Sequence, residues 1–410
     1  MVSFDYSKYK LKENPFPQNA VIDVNSEDPR VNGTIFCDKI FEREIAEIEK
    51  EIIDYKINLI YICGLQYERG VGKSALMAYF WRKVRENDKI FTAFVELAES
   101  GFYSTPEGFC ALILQELHKR GYLWSMLLKC LLRYAEETEE IPKESIEIML
   151  EYYKRPPESV LIQSFIPVFR TEQLIRNFVN WIASKSSCDK DHLTSFINVY
   201  LVHPAEYPKR LLSKKRDLIK NYEETVKFLQ FAGYEYGYFF LNQFEWSVPQ
   251  SAKLREFCIG MRRMLEASEN KASIIVTLHP DAYKKLTSPM AEHLKTLAPF
   301  DGRHYKALNV LPKDGKLAVL LAEKYIKFFR SEAIDDPTYP FDPLTIRYTC
   351  FLSGGNIREI LQTLHKCLDV AIRLNHPKID LDFAIANHSE IFGRDFNQEK
   401  FKEFIKIVRE

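Results

Sequence analysis

The sequence lacks several features that mark common classes of protein. Lys and Arg together number 57, as do Asp and Glu, so the formal net charge is zero. A chain without excess positive charge is not expected to coat nucleic acid through bulk charge, although a local basic stripe remains compatible with this balance. The longest apolar run, 57–65, has the length of a strand, whereas a bilayer span needs roughly 20 residues. The sequence also starts with polar residues and no signal-peptide-like segment, so we expect a cytoplasmic protein without a membrane partner.

The cysteines are too scattered to indicate a metal site or a disulfide framework. There are eight of them, and no two have CxxC spacing. The nine histidines likewise show no paired metal-ligand spacing. We therefore expect no zinc site, and we interpret most cysteines as small core residues in a reducing compartment.

Apolar patterning predicts alternating strands and helices. Strands buried on both faces are predicted at 58–64, 91–97, 236–240, 273–278 and 305–311. Such strands, separated by helical segments, are typical of a parallel sheet that is covered on both sides. The predicted fold class is therefore α/β, with a five-stranded parallel sheet.

The same pattern divides the chain into four parts. Residues 1–36 are rich in Pro, Asn and Asp and are expected to be extended. The α/β core is expected at 37–105 and 234–312. The strand-free stretch 106–233 is too long for a simple crossover between neighbouring strands, so we interpret it as a large helical insertion. Residues 313–410 are expected to form a C-terminal helical lid.

The segment between the first predicted strand and the next helix has the composition of a phosphate-binding loop (P-loop). Residues 67–74 read YERGVGKS. Glycines allow backbone N–H groups to turn toward phosphates, the lysine neutralises the phosphate oxygens, and the hydroxyl binds Mg²⁺. The helix that begins near Ser74 directs its positive end at the same place. Tyr67 stands where the consensus GxxxxGK[ST] has its first glycine, and a chance match on a surface turn is the alternative.

We predict that this loop binds ATP, or ADP, together with Mg²⁺. The predicted nucleotide ligands are Glu68, Arg69, Gly70, Val71, Gly72, Lys73, Ser74 and Ala75. Ser74 is also the first predicted metal ligand.

The second motif expected of a P-loop ATPase is altered. An apolar strand usually ends in an Asp that holds the metal shell, followed by a Glu that orients the attacking water. Here the corresponding positions are Asn242 and Gln243, and an amide can hold a water but cannot accept its proton. Glu245 is the nearest remaining carboxylate and the candidate base, with Asn242 as the second candidate metal ligand. Alternatively, Glu245 only ends the strand and hydrolysis is slow or absent. Whether Asn242 is native or replaces an original Asp stays open, and Asn242→Asp is expected to raise turnover.

Two later segments contain polar residues that could contact a γ-phosphate. Thr277 and His279 end an apolar strand, and an ordinary core histidine is the alternative for His279. Residues 353–359 read SGGNIRE and open a long helix with Arg358 in its first turn. This order of P-loop, altered acidic strand, polar strand and GGNxR resembles the AAA+ superfamily. The resemblance is closest to the branch that holds replication initiators and archaeal STAND-like ATPases.

The resemblance covers about 14–105 and 236–374. It implies that Arg358 senses the γ-phosphate and that the protein works as a homo-oligomer, in a ring or filament. In such assemblies one subunit offers an arginine finger to the nucleotide of its neighbour. Arg303, before the last predicted strand, is the candidate finger, and a solvated loop arginine is the alternative.

A dense basic run in the predicted insertion bears on partners. Its residues are Lys209, Arg210, Lys214, Lys215, Arg216 and Lys220. Such residues would contact the phosphates of double-stranded DNA without reading its sequence, and a solvated helix face is the alternative. Only about 35 residues follow position 374, too few for the winged-helix domain of the initiators.

Three functions therefore stay open. The first is an oligomerising ATPase whose nucleotide state controls assembly, with DNA as a candidate partner. The second is a STAND-like switch that binds a protein partner through the helical insertion. The third is a scaffold that binds ATP without hydrolysing it, as the Asn242–Gln243 pair suggests.

Overall fold

The fold is built around one parallel sheet. The computed structural model describes residues 5–64, 69–97, 104–141, 145, 172–202, 207, 217–248, 251–282 and 304–409. Within them, five strands form a single sheet in which every neighbouring pair is parallel, and helices cover both of its faces. The predicted α/β class and five-stranded parallel sheet are confirmed.

The strand order brings chemically different strand ends together. The strands are β1 Leu59–Gly64, β2 Ile90–Glu96, β3 Tyr236–Asn242, β4 Ala272–Leu278 and β5 Tyr305–Leu308. They lie in the order β2-β3-β4-β1-β5. Because all five run in the same direction, their carboxyl ends meet at one edge of the sheet. This edge holds the end of β1, the end of the altered acidic strand and Thr277.

Both faces of the sheet are buried, as the unbroken apolar strands predict. Along β1, Leu59 and Tyr61 pack into the core on one face, while Ile60 and Ile62 pack into the core on the other. Side chains of successive strand residues point to opposite faces, so a strand covered on both sides must be apolar throughout.

Helices between β2 and β3 form part of the core on one face of the sheet. Phe109 and Ile113 of the helix after β2 belong to the same cluster of buried side chains as Phe239 of β3. The described helices of the predicted insertion therefore share a continuous core with the sheet. The helices up to β4 are α1 Glu42–Glu49, α2 Lys73–Val84, α3 Pro106–Lys119, α4 Tyr122–Thr138, α5 Glu172–Lys185, α6 Lys190–Val202, α7 Leu218–Phe231 and α8 Ser251–Ser268.

The described region after β5 is helical. Short turns of other helix types also occur, at Tyr6–Tyr9, Asp38–Ile40 and Phe244–Ser247 (3-10) and at Lys50–Asp54 (π). The C-terminal helices are α9 Lys316–Phe328, α10 Pro343–Leu352, α11 Ile357–Arg373, α12 Leu381–Ala386, α13 His388–Phe392 and α14 Gln398–Arg409.

The N-terminal segment packs against these C-terminal helices in a second core. Phe16 is fully buried, and its ring stacks on Tyr325 with the centroids 6.1 Å apart. The Asn14 side chain donates hydrogen bonds to the His365 carbonyl (3.2 Å) and to Asp369 Oδ1 (3.0 Å), both on α11. The segment expected to be extended is thus held in place by side chains from the other end of the chain.

No helix in the described ranges has the length and apolar character that a bilayer crossing requires.

Candidate functional site

A buried lysine stands at the start of α2, beside the carboxyl end of β1. Gly72 precedes the helix with φ 96°, and a Cβ there would lie 2.6 Å from the Phe41 ring, so glycine is required. Lys73 is the first helical residue and is only 8% exposed. The first turn contains no acidic residue, and the capping position has no side chain. The positive end of a helix dipole attracts anions, and a lysine at the same place adds positive charge. The local structure therefore suits an anionic ligand.

Lys73 and Glu245 both lie close to the end of β1. Burial raises the pKa of the Cys63 thiol in this strand. The positive charge of Lys73 opposes that rise, and the negative charge of Glu245 adds to it. Glu245 is half-buried, and its Oε2 is buried without a hydrogen-bond partner among the residues that the structure describes.

The ends of α2, β3 and β4 are joined by a polar network. The Ser74 hydroxyl donates to Asn242 Oδ1 (2.9 Å), and the Thr277 hydroxyl donates to the same oxygen (3.0 Å). The backbone N–H of Gln243 donates in turn to the Thr277 oxygen at 2.8 Å. Gln243 has a left-handed backbone conformation, with φ 60°, which is uncommon for a non-glycine residue. The side-chain oxygen of Asn242, a predicted metal ligand, therefore lies beside the hydroxyl of Ser74, the other predicted metal ligand.

A carboxylate that sequence reasoning missed completes this network from the neighbouring strand. Glu96 ends β2 and lies directly opposite Asn242 in the strand register. The Asn242 Nδ2 donates to both carboxylate oxygens of Glu96, each at 3.0 Å, and the Gln243 side chain donates to one of them at 3.2 Å. Glu96 is exposed as a whole, but protein atoms crowd its carboxylate. The loss of hydration raises the pKa of Glu96, although the two amide hydrogen bonds oppose that rise.

The GGNxR segment contacts the P-loop directly. Gly355, with φ 80°, approaches so closely that a Cβ would lie 2.1 Å from the Leu311 carbonyl oxygen. Asn356 follows and donates to the Arg69 carbonyl at 3.0 Å. The backbone N–H of Arg358 donates to the Gly70 carbonyl at 3.3 Å. The beginning of α11 is therefore fixed to the predicted nucleotide ligands.

Two arginines lie near each other at this contact. Arg358 Nε donates to the Ala20 carbonyl at 3.2 Å. Burial lowers the pKa of Arg358, and the positive charge of the nearby Arg69 lowers it further. Like charges in proximity favour binding of a polyanion, which would relieve their repulsion.

Many of these groups border one cavity. Its volume is about 230 Å³, whereas a single water needs only about 10–15 Å³, so a sizeable ligand fits. Every predicted site residue in the described ranges lines it, with the exception of His279. These residues are Arg69, Gly70, Val71, Gly72, Lys73, Ser74, Ala75, Asn242, Gln243, Glu245, Thr277 and Arg358. His279 is not among the described lining residues.

Several predicted residues lie outside the described residues. They include the nucleotide ligand Glu68 and the candidate finger Arg303. From the basic run, Lys220 is described, and it pairs with Asp189 at 3.2 Å. The run's other members also lie outside the described residues, and they are Lys209, Arg210, Lys214, Lys215 and Arg216.

The cavity also has an apolar part, the apolar slot, which was not predicted from the sequence. The N-terminal segment and the C-terminal helices supply this part of the wall. An apolar slot beside a polar, cationic end is the shape that a nucleotide base and its phosphates require. The apolar lining includes Ala20, Val21, Ile22, Ile35, Phe36, Ile40, Phe41, Leu321, Tyr325, Ile357 and Leu361.

The donor set at the polar end suits a hard cation bound together with a phosphate. In the described part of the chain no group of three or more His, Cys, Asp or Glu side chains could hold a metal ion. Ser74 and Asn242 nevertheless offer neighbouring oxygen atoms. Mg²⁺ prefers oxygen ligands, keeps several waters and takes the rest of its shell from substrate phosphates. These residues therefore fit Mg²⁺ only as part of a metal–nucleotide complex.

Comparison of the sequence with protein-family models and with curated proteins found no match.

Proposed function

We propose that this chain is a P-loop ATP-binding protein of the AAA+ type, in which bound nucleotide determines how the C-terminal helices sit on the sheet. The observation that supports this most is the buried Lys73 at the uncapped start of α2, in a cavity that also contains Ser74 and Asn242. The positive end of α2 and the Lys73 ammonium would both attract the phosphates of a bound triphosphate.

Each part of the cavity would have its own role in binding Mg-ATP. Backbone N–H groups at the start of α2 and the Lys73 ammonium bind the phosphates, and the apolar slot takes the base. Ser74 and Asn242 would hold Mg²⁺, whose charge offsets the negative charge that develops on the phosphates during transfer. Glu245 is the side chain that would orient an attacking water, since it lines the cavity and one of its buried oxygens has no hydrogen-bond partner among the described residues.

A switch role is supported by the contacts at the start of α11. Asn356 and the Arg358 backbone hydrogen-bond to carbonyls of Arg69 and Gly70, so a change in the loop is passed directly to the predicted lid. Arg358 also lines the cavity and stands near a second cation, Arg69. Its side chain would therefore contact the γ-phosphate of ATP but find no such group in ADP. The two nucleotides would then favour different positions of α11.

The test is a direct titration with a fluorescent ATP analogue in the presence of Mg²⁺. The parent protein should bind, and Lys73→Ala should bind roughly 10- to 100-fold more weakly, because charge-assisted hydrogen bonds are worth about 1.5–3 kcal/mol. Lys83→Ala is the matched control, since Lys83 lies on the outer face of the same helix and pairs with Glu49. Equal affinity of Lys73→Ala and the parent would refute the proposal.

A second experiment separates the three candidate functions. Phosphate release is measured with Mg-ATP, with and without double-stranded DNA, and particle mass is followed by light scattering with ATP, ADP or neither. Release that rises with DNA favours an ATPase that assembles on DNA. Growth in mass with ATP but without DNA favours a switch of the STAND kind, and binding without release favours a scaffold.

A further inference from the structure

The ends of β2 and β3 accommodate one carboxylate between them. Glu96 and Asn242 are direct neighbours in the register, and one amide nitrogen of Asn242 lies 3.0 Å from both oxygens of Glu96. A carboxylate at position 242 would replace that nitrogen with a second negative oxygen at the same distance. Two carboxylates this close cannot both stay ionised without a large cost. An acidic residue on one strand therefore excludes an acidic residue on the other.

Glu96 also fixes which way the Asn242 side chain faces. A carboxylate accepts hydrogen bonds only, so the amide nitrogen turns toward Glu96. The amide oxygen then points away from it, toward the hydroxyls of Ser74 and Thr277. With both ends of the amide engaged, the oxygen is held at the metal end of the cavity. Donation to a carboxylate further increases the negative character of that oxygen, because hydrogen bonds in a chain polarise one another.

We propose that Glu96 supplies the negative charge that the altered motif on β3 lacks, and that it acts through the Asn242 amide as a positioning residue for Mg-ATP. This inference rests on the proposed function. In this arrangement the carboxylate stands on β2, at Glu96, and not on the neighbouring strand β3. Carboxylates behind a metal ligand orient it and increase its basicity, and loss of such a partner typically lowers metal affinity by 10- to 100-fold.

The contact between Glu96 and Asn242 reverses an expectation drawn from the sequence alone. Restoring the usual acid with Asn242→Asp was expected to raise turnover, because the position then matches the common motif. With Glu96 opposite, the same change brings two carboxylates together and removes an amide donor. Asn242→Asp alone should therefore weaken the site, whereas Asn242→Asp combined with Glu96→Gln moves the charge back to β3 and should repair it.

The test measures affinity for the fluorescent ATP analogue in Mg²⁺ and again in EDTA. Glu96→Gln and Asn242→Asp should each lose about 10-fold or more of affinity in Mg²⁺, with little change in EDTA. The double variant should return to within about threefold of the parent, by the charge exchange described above. Glu235→Gln is the matched control, because Glu235 precedes the opposite end of β3 and pairs with Lys89 in solvent.

Each outcome of these titrations either supports or contradicts the positioning role of Glu96. Single variants equal to the parent, or a double variant as weak as the two losses combined, would overturn the role of Glu96. A double variant that recovers would support it even if Glu96→Gln alone did not fold, since Asn242→Asp then serves as the reference. If the parent itself bound no Mg-ATP, the proposed function would be refuted together with this inference. Thermal unfolding of every variant establishes that the comparison is made on folded protein.

Discussion

The Asn356 side chain donates a hydrogen bond to the Arg69 carbonyl at 3.0 Å, across 287 residues of sequence. The same side chain accepts a hydrogen bond from the Glu359 N–H at 3.2 Å and so caps α11. It is 5% exposed, so neither bond is readily replaced by water. One amide thus both starts a C-terminal helix and holds the cavity-lining loop.

We expect Asn356→Ala to lower both stability and nucleotide affinity. Loss of a helix cap lowers the free energy of unfolding by about 1 kcal/mol. The Arg69 carbonyl, left without its hydrogen bond, lowers it by a similar amount. Thermal unfolding and nucleotide titration measure the two effects. Asp380→Ala is the control, because Asp380 caps α12 through the Phe383 N–H without touching the loop. If both variants lost stability but neither lost affinity, the contact would have no part in binding.

Lys73→Met should leave the nucleotide-free protein at least as stable as the parent. The methionine keeps the buried stem and removes a positive charge from the positive end of α2, where the helix dipole opposes it. Adding Mg-ATP at 100 times its dissociation constant should stabilise the parent by about 2.7 kcal/mol and the variant hardly at all. Chemical denaturation measures both values, with Lys83→Met as control. A large loss of stability in the nucleotide-free variant would mean that Lys73 is a structural residue.

Arg358→Ala should weaken binding of ATP about 10-fold more than binding of ADP. A guanidinium that contacts only the γ-phosphate contributes nothing to ADP, and one charge-assisted contact is worth about 1.5–3 kcal/mol. Competition titrations with the two nucleotides give the ratio. Arg373→Ala, at the other end of α11 and paired with Glu390, should change neither affinity. Equal losses for ATP and ADP would show that Arg358 does not sense the γ-phosphate.

The attachment of the N-terminal segment should weaken as the pH rises. His365 contacts the Phe16 carbonyl through Nδ1 (2.8 Å) and Asp369 through Nε2 (3.2 Å), and only the protonated ring donates at both nitrogens. Burial alone would lower the pKa of His365, but these two acceptors raise it above its ordinary value. A histidine pKa that is raised in the folded protein stabilises fully below the unfolded value of about 6.5, and the stabilisation is lost as the pH rises through the folded value.

The surroundings of the pair support the same direction. The Tyr6 hydroxyl and the Asn14 amide also donate to Asp369, each at 3.0 Å, while the charge of Arg30 opposes protonation of His365. Limited proteolysis of the N-terminal segment should therefore be slower at pH 6 than at pH 8. In His365→Gln the rates at the two pH values should be equal after correction for the protease itself. A variant that kept the parent's pH dependence would exclude His365 as its source.

The order of elements and the polar ends of the strands could be predicted from the sequence because both are local signals. Glycines and a lysine before a helix, or amides at the end of an apolar strand, are visible within ten residues. Parallel strands then bring those ends together without further information, which is why Asn242, Thr277 and Lys73 line one cavity.

Glu96 and the apolar slot could not be predicted, because their roles depend on residues that are distant in the sequence. Glu96 is one acid among many until the register places Asn242 opposite it. Phe16 lies in a Pro-rich stretch with no periodicity, and its burial against Tyr325 depends on a helix some 300 residues later. The AAA+ resemblance, the lid and the roles of Glu245 and Arg303 stay predictions.

The docking of the first residues on α11 has a consequence for synthesis of the protein. Tyr6 and Asp369, which are hydrogen-bonded, are 363 positions apart. At 5–20 residues per second, the ribosome needs roughly 20 to 70 s to make the chain between them. The sheet can be completed once β5 has been made, but one wall of the cavity still lacks its partner until α11 has been made. Nucleotide capture would then be among the last events in maturation, which gives a newly made chain a built-in delay before it responds to ATP.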